Sequence, residues 1–232
     1  MTTTGTYGFA PSGGEVLLNA LSRIGKRGPD IKPEHLMTGA FEASLMQVEW
    51  NNRGPNLWTV DEQTIPTVVG TAVYAVPATT IMVLDVTIGF IQTDGSQTEL
   101  RISPISRSEY MSYPNKTTPG RPTIYWYDRL AAPSITLWPV PDQVYNLNFF
   151  RYRQIQDFSL NGAPQPEWIN RFLDAGCAGI AKRLARHYPP PPPATIGDLK
   201  ADYEEAYKYA ATQDVEDSQL YIMPSLSSYF RP

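Results

Sequence analysis

The spacing of apolar residues changes twice along this chain of 232 residues, and the change limits the folds that it can adopt. Near both ends, apolar residues recur every three to four positions, which is typical of amphipathic helices. Between residues 57 and 155 they alternate with polar residues, which is typical of strands with one buried face. The sequence therefore predicts an α+β chain in which a β-rich segment interrupts a set of helices.

Two helices are predicted before residue 57. Ser12 and Glu15 form the S-x-x-E pattern of a capping box, so a first helix begins there and ends near Gly25. A second helix begins at Pro33, which suits a first turn, and ends near Asn51. The short connection predicts an antiparallel pair with facing apolar stripes. The stripe of the second helix is Leu36, Met37, Ala40, Phe41, Leu45 and Val48.

The central segment carries its strongest strand signal in residues 120–142. Two runs of β-branched and aromatic residues, 123–127 and 134–138, flank a short connection and predict a hairpin. The whole segment is expected to form an antiparallel sheet or a small sandwich, with a hairpin turn at Asp94-Gly95. Its other predicted strands are 71–76, 81–91, 98–102 and 144–152, and 106–111 is a single helical turn.

Two more helices are predicted after residue 155. The first carries Trp168, Phe172, Ile180 and Leu184 on one face, and its small residues Ala175, Gly176 and Gly179 let another helix approach closely. A run of five prolines, 189–193, ends it. We interpret the run as a stiff spacer of about 15 Å, with an SH3-type ligand as the alternative. Thr195 and Asp198 cap the last helix.

These elements predict an antiparallel helical bundle of two N-terminal and two C-terminal helices, with a β-domain inserted between the pairs. The bundle takes residues 12–56 and 156–213, and the inserted β-domain takes residues 57–155. Extended segments, 1–11 and 214–232, flank them.

The chain is acidic and has few charged residues for its length. Its formal net charge is -4, and charged residues make up 18% of the chain, below the usual quarter. Binding to a nucleic-acid backbone needs clustered Lys and Arg, so the composition argues against it. Part of the under-charged surface is expected to be covered by partner proteins.

The single cysteine, Cys177, excludes an intrachain disulfide and a cysteine-based zinc site. Its Ala and Gly neighbours favour a small buried helix residue over a reactive thiol. The N-terminal residues do not resemble a signal peptide, and no apolar run approaches the roughly 18 residues of a membrane span. We therefore expect a protein made and kept in a reducing cytoplasm, without membrane contact.

The titratable residues form no catalytic pattern in the sequence. General acid–base catalysis needs two carboxyls that converge in a cleft, whereas the acidic clusters at 61–62, 202–205 and 214–217 are expected on solvated surface. His35 and His187 lie at a helix start and a helix end and offer too few ligands for a metal. We therefore expect no enzyme activity, no metal and no cofactor.

A basic cluster at the end of the fourth helix is a candidate for contacts between subunits. It comprises Lys182, Arg183, Arg186 and His187, and cations are favourable at a helix C-terminus. Capping and inter-subunit salt bridges explain it better than nucleic-acid binding does. With the last helix, the predicted inter-subunit residues are Arg183, Arg186, Glu204 and Lys208.

The C-terminal segment is too apolar for a solvated tail. Pro224 and Pro232 prevent a continuous helix there. The segment is expected to dock either on its own domain or, as the preferred interpretation, on a neighbouring subunit or partner. The predicted contact residues are Leu220, Tyr221, Ile222, Met223, Leu226, Tyr229 and Phe230.

Two stretches carry a resemblance to a known family. They are residues 48–59, reading VEWNNRGPNLWT, and the hairpin block 120–142, with its Gly-Arg-Pro and Leu-Trp-Pro-Val-Pro. With the β-insertion between helix pairs, they resemble the head-to-tail adaptor (connector, or tail accessory factor) proteins of short-tailed bacteriophages. The similarity spans most of residues 12–213.

The resemblance implies a structural virion protein that forms a ring, expected to be a dodecamer, between the capsid portal and the tail. Its partners would be other copies of itself, the portal protein and a tail nozzle or hub protein. The ring would help to retain packaged DNA, which passes through the lumen without specific binding. The expected location is the head–tail junction of the virion, after assembly in the host cytoplasm.

Two alternatives remain from the residues alone. One is a β-rich tail or host-recognition module that binds carbohydrate on an aromatic platform of Trp126, Tyr127 and Trp138. The other is a hydrolase of cell-wall glycan that uses two acidic residues.

Overall fold

The computed structural model describes residues 5, 8–54, 57–91, 96–160 and 165–215. The α+β class is confirmed: these ranges contain five α-helices and a largely antiparallel β-rich part between them. The helices are α1 (Gly13–Arg23), α2 (Pro33–Arg53), α3 (Arg107–Ser112), α4 (Leu173–Leu184) and α5 (Ile196–Gln213).

The predicted helix starts are confirmed, with one exception. Ser12 and Glu15 form the capping box of α1, and Thr195 and Asp198 form that of α5. The exception is α4, which begins at Leu173, after a 3₁₀ turn over Asn170–Phe172. Trp168 and Phe172 therefore precede α4 instead of lying on its face.

The β-rich part consists of two four-stranded sheets and one short two-stranded pair. The sheets have the strand orders β1-β10-β3-β4 and β2-β8-β7-β5. The strands are β1 (Val60–Pro66), β2 (Val73–Ala75), β3 (Thr80–Ile91), β4 (Gln97–Arg101), β5 (Ser103–Pro104), β6 (Pro119–Gly120), β7 (Ile124–Asp128), β8 (Ser134–Trp138), β9 (Val140–Pro141) and β10 (Asn146–Arg153).

The predicted hairpin is confirmed, since β7 pairs with β8 in antiparallel register from Ile124–Trp138 to Asp128–Ser134. Two short pairs depart from the expected antiparallel arrangement: β5 with β7 and β6 with β9 are parallel. The predicted turn at Asp94-Gly95 lies outside the described residues.

The two sheets share one buried apolar cluster. Leu147 and Phe149 of β10 belong to it together with Tyr125 of β7 and Leu137 of β8. The alternation predicted for residues 144–152 is thus confirmed at its apolar positions. This packing of two sheets corresponds to the small sandwich that the sequence allowed.

The helices form a second, separate apolar cluster. Helices α1, α2 and α5 all contact α4. A Cβ added at Gly179 would overlap Met46 of α2 and lie 2.8 Å from the Tyr203 ring of α5. The small residues of α4 therefore let its neighbours approach closely, as predicted.

The sequence prediction for α2 is wrong about which face of the helix is buried within the chain. Leu36 and Ala40 pack on the helical core, whereas the other four positions are exposed. Small residues explain the difference. The face with Gly39 and Ala43 lets α1 and α4 approach α2 more closely than the face with Phe41 would. We call the four exposed side chains the outer stripe: Met37 (72% exposed), Phe41 (66%), Leu45 (39%) and Val48 (54%).

The first and last strands of the β-rich part pair with each other. Strand β1 runs antiparallel to β10 from Val60–Tyr152 to Pro66–Asn146. At the helical end of this pair, the Tyr152 hydroxyl donates a hydrogen bond to the Gly54 carbonyl over 2.9 Å. The entry to the β-rich part and its exit therefore lie side by side, next to the end of α2.

Candidate functional site

Helix α2 is apolar on two opposite faces, and this makes its outer surface a candidate contact site. The inner face packs Met46 and Trp50, both fully buried, against the helical core. The outer stripe lies on the opposite side at the same helical spacing. The outer stripe is therefore an exposed apolar surface of the kind that partner proteins cover.

A second candidate surface is a groove that runs between α1 and α5 over the first turns of α4. We call it the α1–α5 groove. Its first part has a volume of about 330 Å³ and lies between the N-terminal segment, α1 and α4. Phe9, Pro11, Val16 and Leu173 make the lining of this part mainly apolar, beside the polar side chains of Glu15 and Asn19.

The second part of the groove is acidic. It has a volume of about 310 Å³, and Asp202, Glu205 and Tyr209 of α5 line it. Arg23 and Asp174 lie at the boundary of the two parts and form a salt bridge of 2.5 Å. The groove thus offers apolar and negatively charged surface side by side.

Charged residues of α2, α4 and α5 form a network within the chain. Arg183 contacts Glu49 at 2.7 Å and Glu42 at 3.3 Å. Arg53 contacts Glu49 at 2.6 Å and Glu204 at 3.2 Å. Burial alone would raise the pKa of Glu49, but hydrogen bonds from Arg183 and Arg53 outweigh it and lower that pKa. Two of the predicted inter-subunit residues, Arg183 and Glu204, therefore have partners within their own chain.

The histidines and the cysteine have structural environments. His35 is buried and accepts a hydrogen bond from the Lys32 backbone over 3.1 Å. His187 contacts Glu42 at 3.0 Å. Cys177 is partly buried in α4, and that burial raises the pKa of its thiol. Over the part of the chain that the structure describes, no three His, Cys, Asp or Glu residues are grouped to hold a metal ion.

A family model described as SU10 adaptor protein matches residues 17–224, which is most of the chain. The chain belongs to this family. It is a phage head–tail adaptor, and its family is one of structural virion proteins. The match confirms the resemblance that residues 48–59 and 120–142 carried. A search of curated proteins finds no match.

The SU10 adaptor assignment agrees with the arrangement of the aromatic residues in the hairpin. Trp126 stacks on Tyr110 and Trp138 stacks on Tyr113, with ring centroids 5.6 and 4.3 Å apart. Tyr127 lies on the other face of the hairpin, where its hydroxyl donates to the Thr80 carbonyl over 3.1 Å. The three rings therefore do not form the common platform that the carbohydrate-binding alternative requires.

The other predicted contact residues of the adaptor are placed only in part. Arg186 and Lys208 are exposed. The C-terminal residues from Leu220 to Phe230 lie outside the described residues. Their roles in binding stay predictions. None of the described helices combines the length and apolarity needed to cross a membrane.

Sequence reasoning found the residues of the outer stripe but placed them against the first helix, and it missed the α1–α5 groove. The groove combines residues far apart in sequence, so no local pattern marks it. The outer stripe did have a signal. Apolar residues of α2 occur at too many helical positions for one face, since Met37 and Phe41 alternate with Gly39, Ala43 and Met46. Two apolar faces on one helix indicate two partners.

Proposed function

We propose that this SU10 adaptor assembles into a ring between the capsid portal and the tail, where it joins head to tail and helps to retain packaged DNA. A dodecamer is the expected form. The partners are further copies of the chain, the portal protein and a tail nozzle or hub protein. The proposal extends the family assignment, which by itself covers the adaptor role.

The observation that carries the proposal is the exposed outer stripe of α2. Four apolar side chains at helical spacing face away from the core of their own chain. An exposed contiguous apolar surface of this kind marks a site of protein–protein contact. A ring provides such contacts for every copy.

The net charge of -4 supports a lumen through which DNA passes without specific binding. A channel lined with clustered Lys and Arg would retain phosphates tightly, with a strong dependence on salt. The role requires no catalytic residue, metal or cofactor.

We also propose that the chain consists of two domains. Residues 12–56 and 156–213 act as one helical-bundle domain, and residues 57–155 act as an inserted β-domain. The two separate apolar clusters of the described residues support this division. The C-terminal segment 214–232 contacts the portal or a neighbouring subunit through its apolar residues.

Mixing the purified chain with portal rings of the same phage tests the proposal directly. Electron microscopy should show a ring of adaptor density on the portal, and native mass spectrometry should give its copy number. A variant that lacks residues 216–232 should remain folded and attach more weakly. A folded chain that stays monomeric and never binds the portal at high concentration would refute the ring.

A further inference from the structure

We infer that copies of this adaptor bind one another through two different surfaces, the outer stripe of one copy and the α1–α5 groove of the next. This inference rests on the proposed ring and specifies which faces of the subunit form it. The occupant of the outer stripe is therefore a second copy of this chain.

The two surfaces lie on opposite sides of the helical part. Arg183 of α4 faces α2, since its guanidinium contacts the Leu45 carbonyl at 3.4 Å and Glu49 at 2.7 Å. Asp174 of α4 lies in the α1–α5 groove. Nine residues separate these two positions, and at about 100° per residue they point to opposite sides of α4. A subunit with different, matching surfaces on opposite sides makes head-to-tail contacts, which can close into a ring.

The shapes and polarities of the two surfaces match. The outer stripe is a convex row of apolar side chains, led by Met37 and Phe41. The first part of the groove is concave and has an apolar lining that includes Phe9, itself 74% exposed. Docking would remove both apolar surfaces from water at once, which favours association.

The charges beside the two surfaces are also complementary. In the acidic part of the groove, Asp202 and Glu205 form no salt bridge with any described residue. Arg186 follows α4 directly and is exposed, with no salt-bridge partner among the described residues. It lies between Arg183 and His187, which both contact Glu42 of α2, so it is on the α2 side of the helical part. A free cation beside one surface and free carboxylates beside the other favour one orientation of the contact.

Cysteine cross-linking tests this contact in the assembled ring. Glu34→Cys places a thiol beside Met37 at the edge of the outer stripe and keeps all four stripe residues, and Asn19→Cys places one at the rim of the groove, both in a Cys177→Ala background. Both positions are exposed, so the variants should fold, which circular dichroism checks. Tyr209→Cys, at the acidic end of the groove, replaces Asn19→Cys if that variant does not fold. Portal-bound rings are treated with a short bis-maleimide and separated on a denaturing gel.

The expected result is a ladder of dimers, trimers and higher species from the double variant, with monomers from either single variant. Glu34→Cys combined with Leu130→Cys, on the exposed β7–β8 connection, is the matched control and should stay monomeric. Dimers from Glu34→Cys alone would show a symmetric contact and overturn the inference. Rings that form but yield no cross-linked species would also overturn the inference. In that case the portal or the C-terminal segment would cover the stripe. If no ring forms even with the unmodified chain, the proposed function itself fails.

Discussion

The Trp50 indole donates a hydrogen bond to the Tyr203 hydroxyl over 3.0 Å, joining α2 to α5 across 153 residues of chain. Both side chains are fully buried. The Tyr203 hydroxyl in turn donates to Glu49 over 3.3 Å. One hydroxyl thus satisfies a buried donor and connects it to the charged network of the three helices.

Replacing Tyr203 by Phe should therefore destabilise the fold. We expect Tyr203→Phe to lower the free energy of unfolding by about 1–3 kcal/mol, because it leaves the buried Trp50 N–H without its acceptor. Urea unfolding followed by tryptophan fluorescence measures the change. Tyr209→Phe removes an exposed hydroxyl from the same helix and should stay within about 0.5 kcal/mol of the unmodified chain. Equal stability of the two variants would contradict the role given to this hydrogen bond.

Because α4 lies so close to its neighbours, adding even one methyl group at Gly179 should destabilise the fold. We expect Gly179→Ala to lower the free energy of unfolding by about 1–3 kcal/mol, because the new Cβ would overlap Met46 and the Tyr203 ring. Calorimetry measures the effect. Gly14→Ala in α1 is the control, since the nearest atom to its Cβ is the Ser12 Oγ at 3.9 Å. A loss as large for Gly14→Ala would mean that packing around α4 is not the cause.

The salt bridge between Asp61 and Arg151 predicts a pH dependence of stability. Arg151 is buried and donates two hydrogen bonds to the Asp61 carboxylate, at 2.7 and 3.0 Å, which lower the pKa of Asp61. A carboxyl with a lowered folded pKa contributes stability above its unfolded pKa of about 3.9, and loses it as the pH falls through the folded value.

The stability difference between the unmodified chain and Asp61→Asn should therefore be constant near neutral pH and shrink below about pH 4. Denaturant unfolding from pH 3 to 7 measures it for both chains. A difference that is unchanged over this range would show that protonation of Asp61 does not control the stability of this site.

The outer stripe predicts a variant that assembles poorly and folds normally. Phe41→Ser should change the free energy of unfolding by less than about 0.5 kcal/mol, because the side chain is exposed. The same change should reduce ring formation on the portal, counted by electron microscopy. Leu130→Ser is the matched control, since Leu130 is 65% exposed against 66% for Phe41. If Phe41→Ser formed rings normally, the outer stripe would not be part of the surface that assembles the ring.

Local sequence patterns correctly predicted the elements that are stabilised by residues close together in the sequence. The capping boxes at Ser12 and Thr195 and the β7–β8 hairpin follow from residues a few positions apart. The small residues of α4 also predicted close helix packing correctly, because a Gly such as Gly179 has few other uses inside a helix. The family resemblance rested on such local patterns too.

Features that depend on distant residues were not predictable in the same way. The sequence showed that α2 is apolar, but a choice between its two apolar faces depends on how closely α1 and α4 can approach. Two-residue strands such as β5 and β9 are set by their neighbours in the fold, since so short a run has no periodicity of its own. The α1–α5 groove likewise exists only after α1, α4 and α5 have packed together.

The pairing of β1 with β10 has a consequence for how the chain can vary. The two ends of the β-rich part are adjacent strands, so they are separated by about 4.8 Å, whatever lies between them. Lengthening, shortening or exchanging the hairpins beyond this pair would leave the separation of α2 and α4 unchanged. The helical part can therefore keep one geometry while the β-rich part changes in size and shape.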